Sequence, residues 1–486
     1  MYLTFDLGTT ALKTALISSE GVPIAIHTEE YSFSSPHPDW AQLPINDYWT
    51  AVISSTRAVL RAAHASPEEI KAIGFSSQGQ TFVPVNQRGE ALCDAIVWVD
   101  NRANKIALEW QSSWLTRDEF RRITGYPWVP SVLTVFKLAW LAWNAPELLD
   151  AWKILLLPDY MIFRMTGEVV TDPVTAQSTG MYNVRTGSWE RKMLEAVGIT
   201  TDQLPIVLPS GTVAGKLRRE VADEMGIKSG IAVCVGTNDQ VAGALGAGNS
   251  KPGIVSETTG TALAVFVTTP NLLDDERVTV GQHAAEGLWF ALSFTTTSGI
   301  VLKWFRDICA PGQDYEDFLA GVDDIPPGCE GLTVIPHFAG TASPTFNQDA
   351  RGAFAGLALG HTRLHLARAI MEACACSLRE CLEPIVEGGA TFDRVRSLGG
   401  AARSDIWLQI KADLLNLPVE RPLCSEAASL GAGVLAAAGT GQFDSISQAS
   451  QAWYRPERVF EPDPARSAIY VDVYERYLDL YRRLYG

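Results

Sequence analysis

Two short turns, Asp6-Leu7-Gly8-Thr9-Thr10 and Thr258-Thr259-Gly260-Thr261, combine glycine with hydroxyl side chains. In such a turn backbone N–H groups and hydroxyls converge on one anion, and a neighbouring carboxylate such as Asp6 can hold the Mg²⁺ that accompanies a nucleotide. An ordinary hairpin has the same composition, so each turn alone supports both readings; together they suggest one phosphate clamped from two sides. A P-loop, G-x-x-x-x-G-K-[ST], is absent, so any nucleotide site is of another kind. Asp239 lies between Asn238 and Gln240 at the end of an apolar strand, where a carboxylate serves equally well as a helix cap or as a proton acceptor. Gly399-Gly400-Ala401-Ala402-Arg403 joins the strand-like Val395 to a helical stretch over residues 407–415; its bare backbone would let a flat base or ribose approach closely, and a plain connection between strand and helix fits the same residues. Gly431-Ala432-Gly433-Val434-Leu435-Ala436 matches a dinucleotide fingerprint only superficially: no apolar strand precedes it and Ala436-Ala437-Ala438 continues it, so it reads as packed helix.

The elements that must position these residues follow from periodicity. Residues 2–7, 11–17 and 22–31 form a β-meander, Asn46 caps a helix through His64, and residues 70–77 form a buried strand ending at Gln78-Gly79-Gln80. Strands and helices then alternate, the α/β pattern. A similar plan recurs from Gly230: a strand, the Asn238-Asp239 turn, a small-residue helix over 241–248, and a strand-turn-strand over 254–267. Setting residues 5–12 over 256–263 matches Thr-Ala-Leu and pairs Asp6 with Glu257. The domain boundary is expected near residue 248, dividing the chain into 1–247 and 248–486.

With 486 residues the chain exceeds one small domain. Its 47% hydrophobic and 19% charged content excludes disordered, collagen-like and coiled-coil classes. Thirty-nine basic against 55 acidic side chains give −16, so no global basic field attracts a nucleic-acid backbone. Eight scattered cysteines read as reduced thiols, with Cys374, Cys376 and Cys381 in core packing rather than on a metal; His361 and His365 lack the H-E-x-x-H pattern of zinc. No basic leader and no long apolar run are seen, so the expectation is a cytoplasmic protein with no membrane partner.

Taken together these segments resemble the FGGY carbohydrate kinases, relatives of actin, hexokinase and the heat-shock chaperones, and among them the xylulokinase-like members. The resemblance spans nearly the whole chain. Residues 5–10 are similar to the first phosphate turn, Trp98-Val99-Asp100-Asn101-Arg102 to the sugar-contacting W-x-D-x-R segment, and Thr134, Lys137, Trp140 and Asn144 to a first signature from which Val132 and Trp143 depart. Residues 352–357 and 365–372 fit the second signature throughout. Two segments depart: Gln78-Gly79-Gln80 stands where D-xylulose kinases resemble Gln-Met-His, and Gly340-Thr341-Ala342-Ser343-Pro344 lacks both charges of Gly-Glu-Arg-x-Pro.

The resemblance implies an α/β fold of two ribonuclease-H-like (actin-like ATPase) domains with a cleft between them that closes over substrate, and transfer of the γ-phosphate of ATP, with Mg²⁺, to a ketose hydroxyl. D-xylulose is the leading substrate, ahead of another pentulose, a hexulose or a polyol. It assigns Asp239 as general base and, with Asp6, as metal-binding; Gln80, Asp100, Arg102 and Asp239 to the sugar; and Gly8, Thr9, Thr10, Lys13, Thr259, Gly260, Thr261, Gly399, Gly400, Ala401 and Arg403 to the nucleotide. A homodimer is compatible with it. Two rivals remain: a nucleotide-driven interaction protein like the actin and chaperone relatives, and a sugar-binding regulator without catalysis. The W-x-D-x-R segment with the complete second signature opposes the first rival, and retention of Asp6 and Asp239 opposes the second.

Overall fold

A computed structural model describes residues 1–486. The chain forms two compact units, the first from residues 1–250, 280–289 and 426–454, the second from residues 251–279, 290–425 and 455–486. The chain leaves the first unit close to the expected boundary near 248, but it returns twice, so a single cut does not separate the units.

In the first unit β1 (Tyr2–Leu7), β2 (Ala11–Ile17) and β3 (Pro23–Glu30) form the expected meander. β1 is buried almost throughout, as a central strand covered on both faces must be, whereas β3 alternates half-buried and exposed positions, as an edge strand does. The helix α1 (Ile45–Ala63) starts two residues earlier than a cap at Asn46 would place it: Pro44 takes the cap position without a side-chain hydrogen bond, its fixed φ being suited to a helix start. β4 (Ala72–Ser77) lies parallel to β1, and β5 (Val213–Lys216) and β6 (Ala232–Cys234) complete the order β5-β6-β4-β1-β2-β3, with β6 parallel to β4 and antiparallel to β5. Helices α2 (Thr134–Asn144), α3 (Pro173–Gln177) and α4 (Asp239–Gly246) carry residues of the site. The Ala427–Gly439 helix belongs to this unit and packs on α4, β4 and β1. A Cβ at Gly431 would strike the Ala242 carbonyl, and one at Gly74 the Ala432 carbonyl. The small residues of residues 431–436 therefore serve close helix packing, as their sequence context suggested.

The second unit repeats the plan. β7 (Gly253–Thr259) and β8 (Leu263–Thr269) are antiparallel, β10 (Phe392–Leu398) runs parallel to β7, β11 (Val419–Pro422) parallel to β10 and β12 (Pro456–Phe460) antiparallel to β11, with β9 (Trp289–Thr295) beyond β8. Helices α5 (Arg363–Glu387), α6 (Asp405–Leu415) and α7 (Pro464–Tyr485) pack together beside this sheet. Cys374, Cys376 and Cys381 are buried in α5, where burial pushes their thiols above the ordinary range. No helix is long and apolar enough to cross a membrane.

Candidate active site

The first phosphate turn connects β1 to β2. Gly8 N–H donates to the Ala11 carbonyl at 3.0 Å, and the Tyr31 hydroxyl donates to the Gly8 carbonyl at 2.5 Å, so the turn is braced from both sides. Asp6, near the end of β1, faces Ser76 on the parallel strand β4, whose hydroxyl donates to Asp6 Oδ1 at 2.7 Å. Burial raises the Asp6 carboxyl above its ordinary range, against the lowering effects of Ser76 and Lys13. Lys13 is ion-paired with Glu426, its Nζ 2.6 Å from Oε2.

Asp239 stands at the first position of α4. The cap is its neighbour Asn238, whose side chain accepts from the Gln240 N–H at 3.0 Å. That separates the two readings left open by the sequence, since capping occupies Asn238. Burial, and next the charge of Asp6, push the Asp239 carboxyl up to about 7. An ordinary aspartate is fully ionised at neutral pH; this one is poised there. Two carboxylates close enough for the charge of Asp6 to raise the proton affinity of Asp239 are a donor set suited to a hard divalent cation. No group of three or more metal-ligating side chains exists, so a cation held here would keep water or phosphate in most of its coordination sphere.

The segment carrying Asp239 is fastened from beneath. Asp172 caps α3, accepting from the N–H groups of Val174 and Thr175, and also accepts the hydroxyls of Ser210 and Thr237 at 2.8 Å each. Just past the other end of α3, Ser178 Oγ accepts from the Gln80 N–H at 3.2 Å. Gln80 has φ +60°, left-handed for a non-glycine residue, and its carbonyl accepts from the Thr134 hydroxyl on α2 at 3.1 Å. One short helix thus links the backbone of the candidate sugar residue to the candidate base. Tyr126 faces the Gln80 side chain, a neighbour with no signal in the sequence.

Asp100 and Arg102 form a nearly closed pair. Arg102 Nε and Nη2 each donate to Asp100 at 2.8 Å, the Ala41 N–H donates to Asp100 Oδ2 at 2.7 Å, and Asp100 is fully buried. The guanidinium stacks 4.0 Å from the Trp40 ring centroid and 5.1 Å from that of Trp140. This geometry makes Asp100 the orienter of Arg102. Trp98 Nε1 donates to Thr9 Oγ1 at 2.7 Å, tying the W-x-D-x-R segment to the first phosphate turn. Beneath it Lys137, wholly buried, donates to the carbonyls of Val97 and Trp98 at 2.9 Å each, and burial lowers its ammonium to about 7.

In the second unit the Thr259 hydroxyl does not point outward. It donates to Glu257 Oε2 at 2.6 Å, while Gly260 N–H donates to the Ala262 carbonyl and Thr261 is exposed. Gly399 has φ +80°, and a Cβ there would lie 2.7 Å from the Thr259 carbonyl, so the turn and the Gly399-Gly400 loop touch backbone to backbone. Gly400 and Arg403 are exposed, Ala401 is buried, and Arg421 donates to the Ala402 carbonyl at 3.2 Å. Glu257, the counterpart of Asp6 in the sequence repeat, is 1% exposed and ion-paired to Lys411. The second-signature helix α5 directs Arg368 and Glu372 into a buried network with Tyr470, a packing role.

The N-terminal domain model of the FGGY family of carbohydrate kinases matches residues 1–246, and its C-terminal domain model matches residues 255–440. A xylulose kinase from Bacillus subtilis is 29% identical over 99% of this chain and 95% of its own length, and a glycerol kinase from Solidesulfovibrio magneticus 30% identical over 96% and 95%. The crystal structure of xylulose kinase from Rhodospirillum rubrum superposes with a TM-score of 0.92 at 28% identity, covering 99% of this chain and 98% of that one. The repeated sheet plan is that of the two-domain actin-like ATPases. With both halves matched in order, the chain belongs to the FGGY family of carbohydrate kinases.

Proposed function

We propose that this carbohydrate kinase transfers the γ-phosphate of ATP to a ketose hydroxyl, with D-xylulose as substrate and D-xylulose 5-phosphate as product. The observation that carries the choice of sugar is the full-length similarity to the xylulose kinase of Bacillus subtilis. The reaction needs an acceptor hydroxyl held in line with phosphorus and a group that takes its proton as the new O–P bond forms. Asp239 is assigned that proton: its carboxyl, pushed up to about 7, matches a base working near neutral pH. Asp172 keeps the base in place through Thr237. Gln80 and Arg102 bind sugar hydroxyls, with Asp100 orienting the guanidinium. Thr9, Thr10, Lys13, Thr261 and the backbone of both turns receive the phosphates, and residues 399–403 receive adenosine. Asp6 and Asp239 would hold Mg²⁺, which supplies neutralisation of phosphate charge when bound.

A second reading, phosphorylation of a polyol, is favoured by the 30% identity to the glycerol kinase. ADP release measured with D-xylulose, L-xylulose, D-ribulose, L-ribulose, D-fructose, erythritol and glycerol separates them. Highest kcat/KM on D-xylulose supports the proposal; a polyol ahead of every ketose overturns it and leaves the kinase class intact.

A further inference from the structure

The two sheets repeat one detail more exactly than the sequence repeat implies. In the first unit the register of β1 on β4 sets Asp6 opposite Ser76, and in the second the register of β7 on β10 sets Glu257 opposite Ser397. In both units the serine hydroxyl donates to the acid. The two sites then diverge. Asp6 remains partly exposed, and its cationic neighbour Lys13 is bonded to Glu426. Glu257 is sealed, with the ammonium of Lys411 from α6 on its carboxylate.

Lys411 Nζ has three acceptors: Glu257 Oε1 at 2.5 Å, Thr259 Oγ1 at 3.0 Å and Ser397 Oγ at 3.1 Å. An ammonium has three N–H donors, so all three are used. Thr259 lies in the second phosphate turn, and Ser397 lies two residues before Gly399, whose backbone abuts the Thr259 carbonyl. One buried cation therefore joins the strand ends that carry the phosphate turn and the adenosine loop.

We infer that Lys411 is a positioning residue for the nucleotide: it takes, in the second repeat, the place that the first leaves open to a bound cation, and holds the two loops at fixed spacing. Thr259 acts through this junction and not as a phosphate donor. The inference rests on the nucleotide assignment of these two loops made above.

The test compares Glu257→Gln, Lys411→Met, the double variant E257L/K411M, and Gly400→Val in the full chain. Affinity for a non-hydrolysable ATP analogue, KM for the ketose and thermal stability are measured for each. The single variants leave a buried polar partner unmatched and are expected to lose stability, so the double variant decides the question: an apolar pair restores stability because neither charge is left stranded. Its affinity for the analogue is expected to fall about 10- to 100-fold, the range typical of losing a group that orients binding groups, with ketose KM unchanged. Wild-type analogue affinity in the stable double variant overturns the inference, as does an equal rise in ketose KM, which would mark general damage. Gly400→Val reads the adenosine loop separately, because a Cβ there meets open space and the fold is spared. If Gly400→Val leaves affinity intact, the nucleotide assignment of the loop fails and the role of Lys411 with it. If Gly400→Val weakens binding and the double variant does not, the assignment stands and Lys411 is a packing residue alone.

Discussion

Replacing Glu380 by Gln is expected to make the protein more stable in alkaline solution and to change little in acid. Glu380 lies on α5 with 7% of its surface exposed, and its Oε2 accepts from the Tyr477 hydroxyl at 3.0 Å. The same hydroxyl is 3.0 Å from Nε2 of His337, which burial lowers to about 4 and so keeps neutral. No cation faces the carboxylate, and burial pushes it from an ordinary 4.5 up to about 7. The folded state therefore binds this proton more tightly than the unfolded chain does. Its contribution is fully present below pH 4.5 and is lost as pH rises through 7. At ~1.4 kcal/mol for each tenfold difference in proton affinity, the loss amounts to about 3 kcal/mol. Most of it, about 2.5 kcal/mol, falls between roughly pH 5 and pH 8.5. Glutamine copies the protonated acid and still accepts from Tyr477, so the variant escapes the loss. For a unit of this size the Tm advantage should grow by about 5 to 10 °C between those two pH values in calorimetric scans. An advantage that is the same at both would refute the reasoning, because it would mean that Glu380 stays ionised in the folded protein.

Three further outcomes concern the site. Asp239→Ala should lower kcat by about 10²-fold or more with nucleotide affinity retained; near wild-type turnover in a folded variant would remove it from the chemistry. Asp6→Ala should raise the Mg²⁺ concentration needed for half-maximal rate and depress turnover, and an unchanged Mg²⁺ titration would move the metal role elsewhere. Gln80→His should reorder kcat/KM across the sugar panel, because a rigid ring with one donor and one acceptor replaces a flexible amide with two donors and a carbonyl; an unchanged ranking would leave Gln80 as scaffold.

The legible parts of the molecule were those governed by local pattern. The β1–β2 and β7–β8 hairpins show in short apolar-rich runs and turn residues, and the faint match of residues 5–12 with 256–263 proves to be a real sheet repeat with Asp6 and Glu257 at matching positions. Illegible were partnerships made across long separations. Asp172 and Thr237 are 65 residues apart, and nothing local distinguishes that aspartate from any other helix cap. Lys411 resembles a surface lysine, although its spacing from Trp407 and Leu414 puts it on the buried stripe of α6 and was the available clue. The W-x-D-x-R segment alone cannot show that the Asp100 carboxylate is enclosed by Arg102 and the Ala41 N–H. Pro44 displaced Asn46 as the α1 cap because a locked φ two residues earlier suffices to start the helix.

The return of residues 426–454 to the first unit has a consequence for biosynthesis. The sheet that carries Asp6 is covered by the Ala427–Gly439 helix, whose Ala432 carbonyl rests on Gly74 and whose Gly431 rests on Ala242. While the ribosome is translating residues 290–425 of the second unit, that sheet has no cover, and its apolar face must wait, exposed or chaperoned, for a helix encoded after them. Folding of the first unit is therefore completed only after the body of the second unit has been translated, although β1 precedes that body by more than two hundred residues. A chain terminated at residue 425 would lose more than its tail: the missing helix would leave the first unit without its lid, so a late nonsense codon should yield an aggregating product, not a shortened enzyme.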